Sequence, residues 1–209
     1  MKLEDCCVYL ASGSPRRKEM LFNDGLSPYI VKPGCDEDIH LDLDPRQLVM
    51  SLALKKGLAA REIIFSQGIG PAAENGDVPY VIISADTVVC KDGEVFGKPE
   101  SREDAKRMLL ALKGDVHQVC SGVYLSGSCG GKSFSRLMCD VTDVFVRDFD
   151  PGWLENYLDT DEPYDKAGAY AIQGAFGVSI DHIEGDYDNV VGLPYEMLKR
   201  VLSEIDPEN

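Results

Sequence analysis

Read for residue types that could do chemistry, the chain offers first the segment LASGSPRRKEML, beginning at Leu10. Small residues follow a short apolar run there, and Ser14-Pro15 has the form of a helix start: serine as N-cap, and proline at the first helical position, where its missing N–H costs nothing. Such a helix start turns unpaired backbone N–H groups outward, where a phosphate could sit, and Arg16 and Arg17 stand beside it. Guanidinium groups grip phosphate oxygens in bidentate geometry better than an ammonium does. The competing reading is an ordinary Ser-Pro helix start with solvated basic residues.

Asp86 follows a buried-strand pattern, Tyr80 to Ser84, and so stands at the carboxyl edge of an open sheet, where ligands are usually bound. The alternative is a turn-forming aspartate. Asp92-Gly93 then signals a hairpin between Thr87–Cys90 and Val95–Gly97. A three-residue loop, Lys91-Asp92-Gly93, pairs 90 with 94 and sets Asp86 opposite Lys98 on one face; a two-residue loop sets them on opposite faces. A working Asp86–Lys98 pair therefore predicts the longer loop or a bulge.

Three further groups are candidates. Lys56 falls in the middle of an apolar helix face made by Leu48, Val49, Leu52, Ala53, Ala59, Ala60 and Ile63. A buried ammonium without a partner is costly, so either its stem snorkels to a rim or it binds an anion. Asp36, Glu37 and Asp38 could supply oxygen to magnesium or manganese together with Asp86, or simply form a solvated loop. In DKAGAYAIQG, from Asp165, the small residues allow close backbone approach, and Gln173 carries both donor and acceptor for a nucleobase edge. His40, His117 and His182 have no metal-ligand spacing and no nucleophile beside them, which argues against a zinc site or a Ser-His-Asp hydrolase.

The elements that must position these residues alternate early and cluster later. A strand at 7–11 leads into a helix over 15–23 stopped by Gly25, and Asp44-Pro45 opens a longer helix to about residue 64. Residues 66–79 read as a surface loop. Ser101 and Asp104 resemble a capping box for a helix ending at Gly114, and long strands follow near 116–125 and 133–147 with a Gly/Ser turn between. A helix around Trp153, short strands near 170 and 180, and a closing helix from Pro194 complete the pattern. This order predicts an α/β fold with a mixed sheet flanked by helices, in a single domain over 1–209.

Composition narrows the partners. The formal charge is −15, of which −12 lies from Asp148 onward, so a nucleic-acid backbone would be repelled while the earlier part has room for a local cationic pocket. No apolar run approaches the roughly 18 residues of a membrane span. Seven cysteines without paired spacing, after a start (MKLEDCCVYL) that resembles no secretory or transit signal, predict reduced thiols and a cytoplasmic setting.

LASGSPRR, SADTVV with FGKP carrying a lysine twelve residues after the aspartate, HxVxSGV, DKAGAYAIQG and NVVGLP stand in the order that resembles the Maf family of nucleoside triphosphate pyrophosphatases, over about residues 7–200. The resemblance implies cleavage between the α and β phosphates with a divalent metal (Mg, Mn or Co). It also implies an α/β fold of two lobes with a cleft between them, similar to that of inosine triphosphate pyrophosphatases, and leaves a homodimer open. It assigns catalysis to Asp86, phosphate binding to Ser14, Arg17, Lys56 and Lys98, and metal to Asp86 and Glu37. Arg16, Thr87 and Gln173 match the dTTP/UTP-type branch rather than the 7-methyl-GTP one. Lys113, Ser121 and Gly57 depart from the family's usual serine, threonine and alanine. Two rival expectations remain: a phosphatase or kinase, against which the absence of GxxxxGK[ST] speaks, and a non-enzymatic nucleotide-binding regulator of cell division.

Overall fold

The computed structural model describes residues 1–34 and 43–205. The Asp36–Asp38 acids, Glu37 among them, and Cys35 and His40 lie outside the described residues. Asp44 caps the long helix as its sequence predicts: its carboxylate accepts from the N–H groups of Arg46 and Gln47, and Gln47 answers to the Asp44 N–H. Strand β1 (Cys7–Ala11) feeds helix α1 (Pro15–Asn23), a two-residue strand β2 (Tyr29–Ile30), and α2 (Pro45–Gln67). The predicted loop at 66–79 contains a one-turn helix, α3 (Pro71–Glu74), because Pro71 fits the first helical position and Gly70, at φ 72°, makes the turn into it.

β3 (Tyr80–Lys91) then runs unbroken through Asp86, followed by β4 (Glu94–Phe96), α4 (Arg102–Leu112), β5 (Val116–Cys129) and β6 (Lys132–Val146). After α5 (Pro151–Leu158) come β7 (Ile180–Glu184), α6 (Tyr187–Val191) and α7 (Tyr195–Ser203). The strand expected near 170 is instead a pair of 3-10 turns, Ala167–Ala169 and Ala175–Ser179. Gly168 at φ 69° and Ala169 at φ 61° take backbone that no strand can continue.

The sheet has order β2-β1-β3-β5-β6-β7, with β4 beside β3. It is mixed: β1 runs parallel to β2 and β3, and the rest is antiparallel. β5 flanks β3 from Tyr80 to Cys90, but the other edge is shared. β1 covers 80–84 and β4 covers 89–91, so residues 85–88 have no strand beside them on that edge.

Helix α2 packs on one face of the sheet, where Ala60 and Ile64 meet Tyr9 and Ile82, and Val49 meets Val88, Cys90 and Cys120. The opposite face carries two separate cores. Leu21 of α1 and Leu198 and Leu202 of α7 cover Val81, Ile83 and Ala85; Leu109 and Leu112 of α4 with Tyr157 of α5 cover Val89, Val119 and Val144. Thr87 falls between the two, opposite the open edge.

All six described cysteines are free, Cys90 and Cys120 lying 3.6 Å apart between sulfurs. Among the described residues no helix is long and apolar enough to cross a membrane.

His117, 2% exposed on β5, takes a structural part. Its Nε2 meets the Tyr170 hydroxyl at 2.7 Å, and its Nδ1 is buried without a partner. Burial, and secondarily the charge of Lys91, push its pKa down to about 3, so the folded protein holds it neutral. In the unfolded chain the group takes a proton near pH 6.5. Its contribution is therefore complete above pH 6.5 and is lost as pH falls toward 3, by about 1.4 kcal/mol per pH unit. Urea midpoints between pH 7 and 5 are expected to fall with a one-proton slope that His117→Gln removes; equal slopes in both proteins would refute the assignment.

Candidate active site

Four of the candidates, Arg17, Lys56, Asp86 and Thr87, meet at the open stretch of β3. Side chains alternate along a strand, so Ser84 and Asp86 face α2 while Ala85 and Thr87 face the other way. Ser84 Oγ donates to the Ala53 carbonyl of α2 at 2.8 Å and so fixes the helix against the strand. Gly57 allows this approach: a Cβ there would lie 2.4 Å from the Tyr124 ring and 2.6 Å from Ser84 Oγ. Gly122 does the same on β5, where a Cβ would lie 2.4 Å from the Val49 backbone.

With the helix held that close, Lys56 reaches Asp86. Its Nζ lies 2.6 Å from Asp86 Oδ1, and the two side chains are 13% and 12% exposed. Of the two readings of this lysine, snorkelling or anion binding, the structure supplies a third component: an internal counter-charge. An ammonium and a carboxylate paired beside an open strand edge can bind a polyanion at one and work on water at the other.

Arg17 is buried and organises the opposite side. Its Nη1 donates to the Ala85 carbonyl at 2.8 Å and to Ser12 Oγ at 3.2 Å, its Nε to the Gly192 carbonyl at 2.7 Å, and its Nη2 to Thr87 Oγ1 at 3.0 Å. The Ala85 carbonyl belongs to the strand edge left open between β1 and β4, so a guanidinium stands where a neighbouring strand would. Thr87 Oγ1 also lies 2.8 Å from Ser121 Oγ, which donates to the Asn189 carbonyl at 3.1 Å. Gly192 closes α6 at φ 123°, a conformation that suits glycine. The first strand, the first helix, β3, β5 and the NVVGLP segment thus meet in one polar cluster between the two cores.

Ser14 is the N-cap residue of α1, as predicted, but its side chain makes no capping bond to the helix. Arg16 is half-buried and its Nε is enclosed without a hydrogen-bond partner. Desolvation lowers its pKa, against the pull of Asp165 and Glu162. Those acids sit in the 160–176 loop, so Arg16 stands between α1 and the segment that carries Gln173, which is exposed.

The hairpin expectation is corrected. Lys91 pairs with Glu94 and Cys90 with Val95, so the loop has two residues, Asp92 and Gly93, both at positive φ (52° and 83°) as a type I′ turn requires. The ladder stops at Phe96. Lys98, two residues further, is exposed in a loop, where strand alternation no longer sets its direction. Asp86 and Lys98 therefore share no cross-strand register.

The sequence reading missed Ser12 and Glu162, whose partners at Arg17, Ala175 and Phe176 no sequence pattern announces. Two cavities lie elsewhere: one of about 170 Å³ bounded by Met1, Leu3, Asp24 and Lys199, and an open hollow of about 460 Å³ at Phe145 and Arg147.

A family model described as Maf-like protein matches residues 7–205. The chain belongs to the Maf family. Proteins named dTTP/UTP pyrophosphatase from Chromobacterium violaceum (39% identical, covering 98% of this chain and 97% of that one) and Acetivibrio thermocellus (39%, covering 94% of each) are among its relatives. So is one of the same name from Caldanaerobacter subterraneus subsp. tengcongensis (40%, covering 92% of this chain and 88% of that one). The solved structure of the Staphylococcus aureus Ham1 protein superposes with a TM-score of 0.42 at 14% identity over 94% of this chain and 97% of that one.

The departures of this Maf-like chain are accommodated. Ser121 keeps a hydroxyl on Thr87, Lys113 pairs with Asp148 at 2.8 Å and lies over the Phe149 ring, and Gly57 leaves room for Tyr124.

Proposed function

We propose that this Maf-like chain is a nucleoside triphosphate pyrophosphatase that cleaves dTTP and UTP to the monophosphate and pyrophosphate. The names of its relatives support the reaction, and the observation that carries it here is the Lys56–Asp86 pair at the open edge of β3. In this reading the triphosphate enters over the start of α1, where first-turn N–H groups and the Ser14 hydroxyl attract it. Arg17 holds the wall, and Lys56 turns from Asp86 to the phosphates, with Lys98 as an added cation. Asp86, released from its partner, takes a proton from water as the water oxygen attacks the α-phosphorus. The bond to the bridging oxygen breaks and pyrophosphate leaves. Gln173, Arg16 and Thr87 select the pyrimidine, Thr87 by holding Arg17 in place.

A divalent cation fits this donor set. Magnesium-type ions use one or two carboxylates and take their remaining oxygens from phosphate and water, and Asp86 supplies one carboxylate at the cleft. Among the described residues there is no cluster of three or more ligating side chains; Glu37, the other proposed ligand, lies outside them. Such an ion would polarise the α-phosphate and lower the pKa of bound water.

The test is a screen of standard and modified nucleoside triphosphates with pyrophosphate detection. dTTP and UTP are expected to be turned over first. Orthophosphate as product would refute the reaction, activity confined to purines would refute the selectivity, and tight binding without turnover in magnesium, manganese or cobalt would favour a regulator.

A further inference from the structure

Just past the turn that carries Gln173, which the Gly174 N–H closes by donating to the Ala171 carbonyl at 3.1 Å, the chain is held by a carboxylate from outside it. Glu162 Oε2 accepts from the Ala175 N–H at 2.8 Å, and Oε1 accepts from the Phe176 N–H at 3.3 Å and from the Tyr157 hydroxyl at 3.0 Å. It thereby caps the 3-10 turn Ala175–Ser179, whose own N-cap residue, Gly174, has no side chain to offer. The fit leaves no room: a Cβ on Gly174 would lie 2.1 Å from Glu162 Oε1 and 2.3 Å from its carboxyl carbon. Tyr157 also reaches the Ala169 carbonyl at 3.3 Å, so the preceding turn is tied to the same point. On its other side Glu162 acts electrostatically on Arg16, whose Nε is enclosed and unpartnered.

We infer that Glu162 is the positioning residue for nucleobase selection, fixing the end of the Gln173 turn so that its amide meets a pyrimidine. This rests on the reading of Gln173 given above. Glu162 itself touches neither base nor phosphate in this role. An amide reads a hydrogen-bonding edge only if its orientation is fixed beforehand, and Gln173, exposed and followed by Gly174, has little packing of its own to fix it. A carboxylate that takes two successive backbone N–H groups provides that constraint; a carboxamide cannot, because one of its two ends is itself a donor.

The experiment compares a ligand with a base to one without. For Glu162→Gln the KM for dTTP is expected to rise about tenfold with kcat within about twofold, the cost of loosening one hydrogen-bonded recognition group. Inhibition by inorganic triphosphate, which has the tail but no base, should be unchanged and shows that the variant is folded. Gly174→Ala, which pushes a methyl into the carboxylate, should behave likewise, and should add nothing further in a Glu162→Ala background. An unchanged dTTP KM, an equal loss of affinity for inorganic triphosphate, or full additivity of the two substitutions would overturn the inference. A wild-type chain that released no pyrophosphate from any triphosphate would instead overturn the proposed function on which it rests.

Discussion

Asp86→Asn is expected to lower pyrophosphate release from dTTP by about 10²- to 10⁴-fold, the range for losing a positioned general base. The side chain is nearly isosteric, and its carbonyl can still accept from Lys56, which lies 2.6 Å from Oδ1 in the native pair. What disappears is the negative charge and the ability to take a proton. Stability should change by about 1–3 kcal/mol through the weakened bond to the ammonium, well inside the 5–15 kcal/mol that a domain usually has. The measurement is kcat with dTTP beside a thermal melt. Wild-type turnover in the variant would remove Asp86 from the mechanism; an unfolded variant would mean that the pair is chiefly structural.

Arg17→Met should have the largest effect on the fold. The thioether chain fills part of the space but donates nothing: the Ala85 carbonyl loses the guanidinium at the open strand edge, while the Gly192 carbonyl keeps Thr87 Oγ1 at 3.3 Å, Ser12 Oγ keeps the Ser14 N–H at 3.1 Å and Thr87 Oγ1 keeps Ser121 Oγ at 2.8 Å. Each buried acceptor left unpaired costs about 1–3 kcal/mol. With the weakened bonds at Gly192, Ser12 and Thr87 and allowing for relaxation, a total of about 3–5 kcal/mol is expected, or a fall in Tm of about 6–20 °C at this chain length. Turnover should fall as well, because the cluster tethers α1 and the Gly192 segment to β3. Arg17→Lys would retain the charge but replace the planar fork by a single ammonium, and is expected to recover little of the stability. A melting temperature within about 2 °C of wild type would show that the guanidinium does not join the two sides of the cleft.

These two residues also separate what could be read from the chain and what could not. Local rules carry over well. β1 at Cys7–Ala11, α1 at Pro15–Asn23 and the Asp44 cap appear where a short apolar run, Ser-Pro and Asp-Pro place them, because such signals act within a few residues. The 170 region failed because Tyr170 and Ile172, at alternate positions, suit a strand, while two consecutive positive-φ residues and the Glu162 carboxylate, a tertiary contact, impose turns. The hairpin came out as the two-residue turn, which left Lys98 past the end of the ladder.

By itself the sequence determined the alternating elements, the acidic stretch from Asp148 onward and the identities of Arg16, Arg17, Lys56, Asp86 and Gln173 as the side chains worth watching. Only the tertiary structure decided that Lys56 rests on Asp86, that Arg17 turns inward to a strand edge, and that Glu162 holds the end of the Gln173 turn. The reason is one of range. Periodicity and capping are set by neighbours along the chain, whereas the partners of a buried charge are chosen by whichever carboxylate or carbonyl the packing of distant elements brings within about 3 Å.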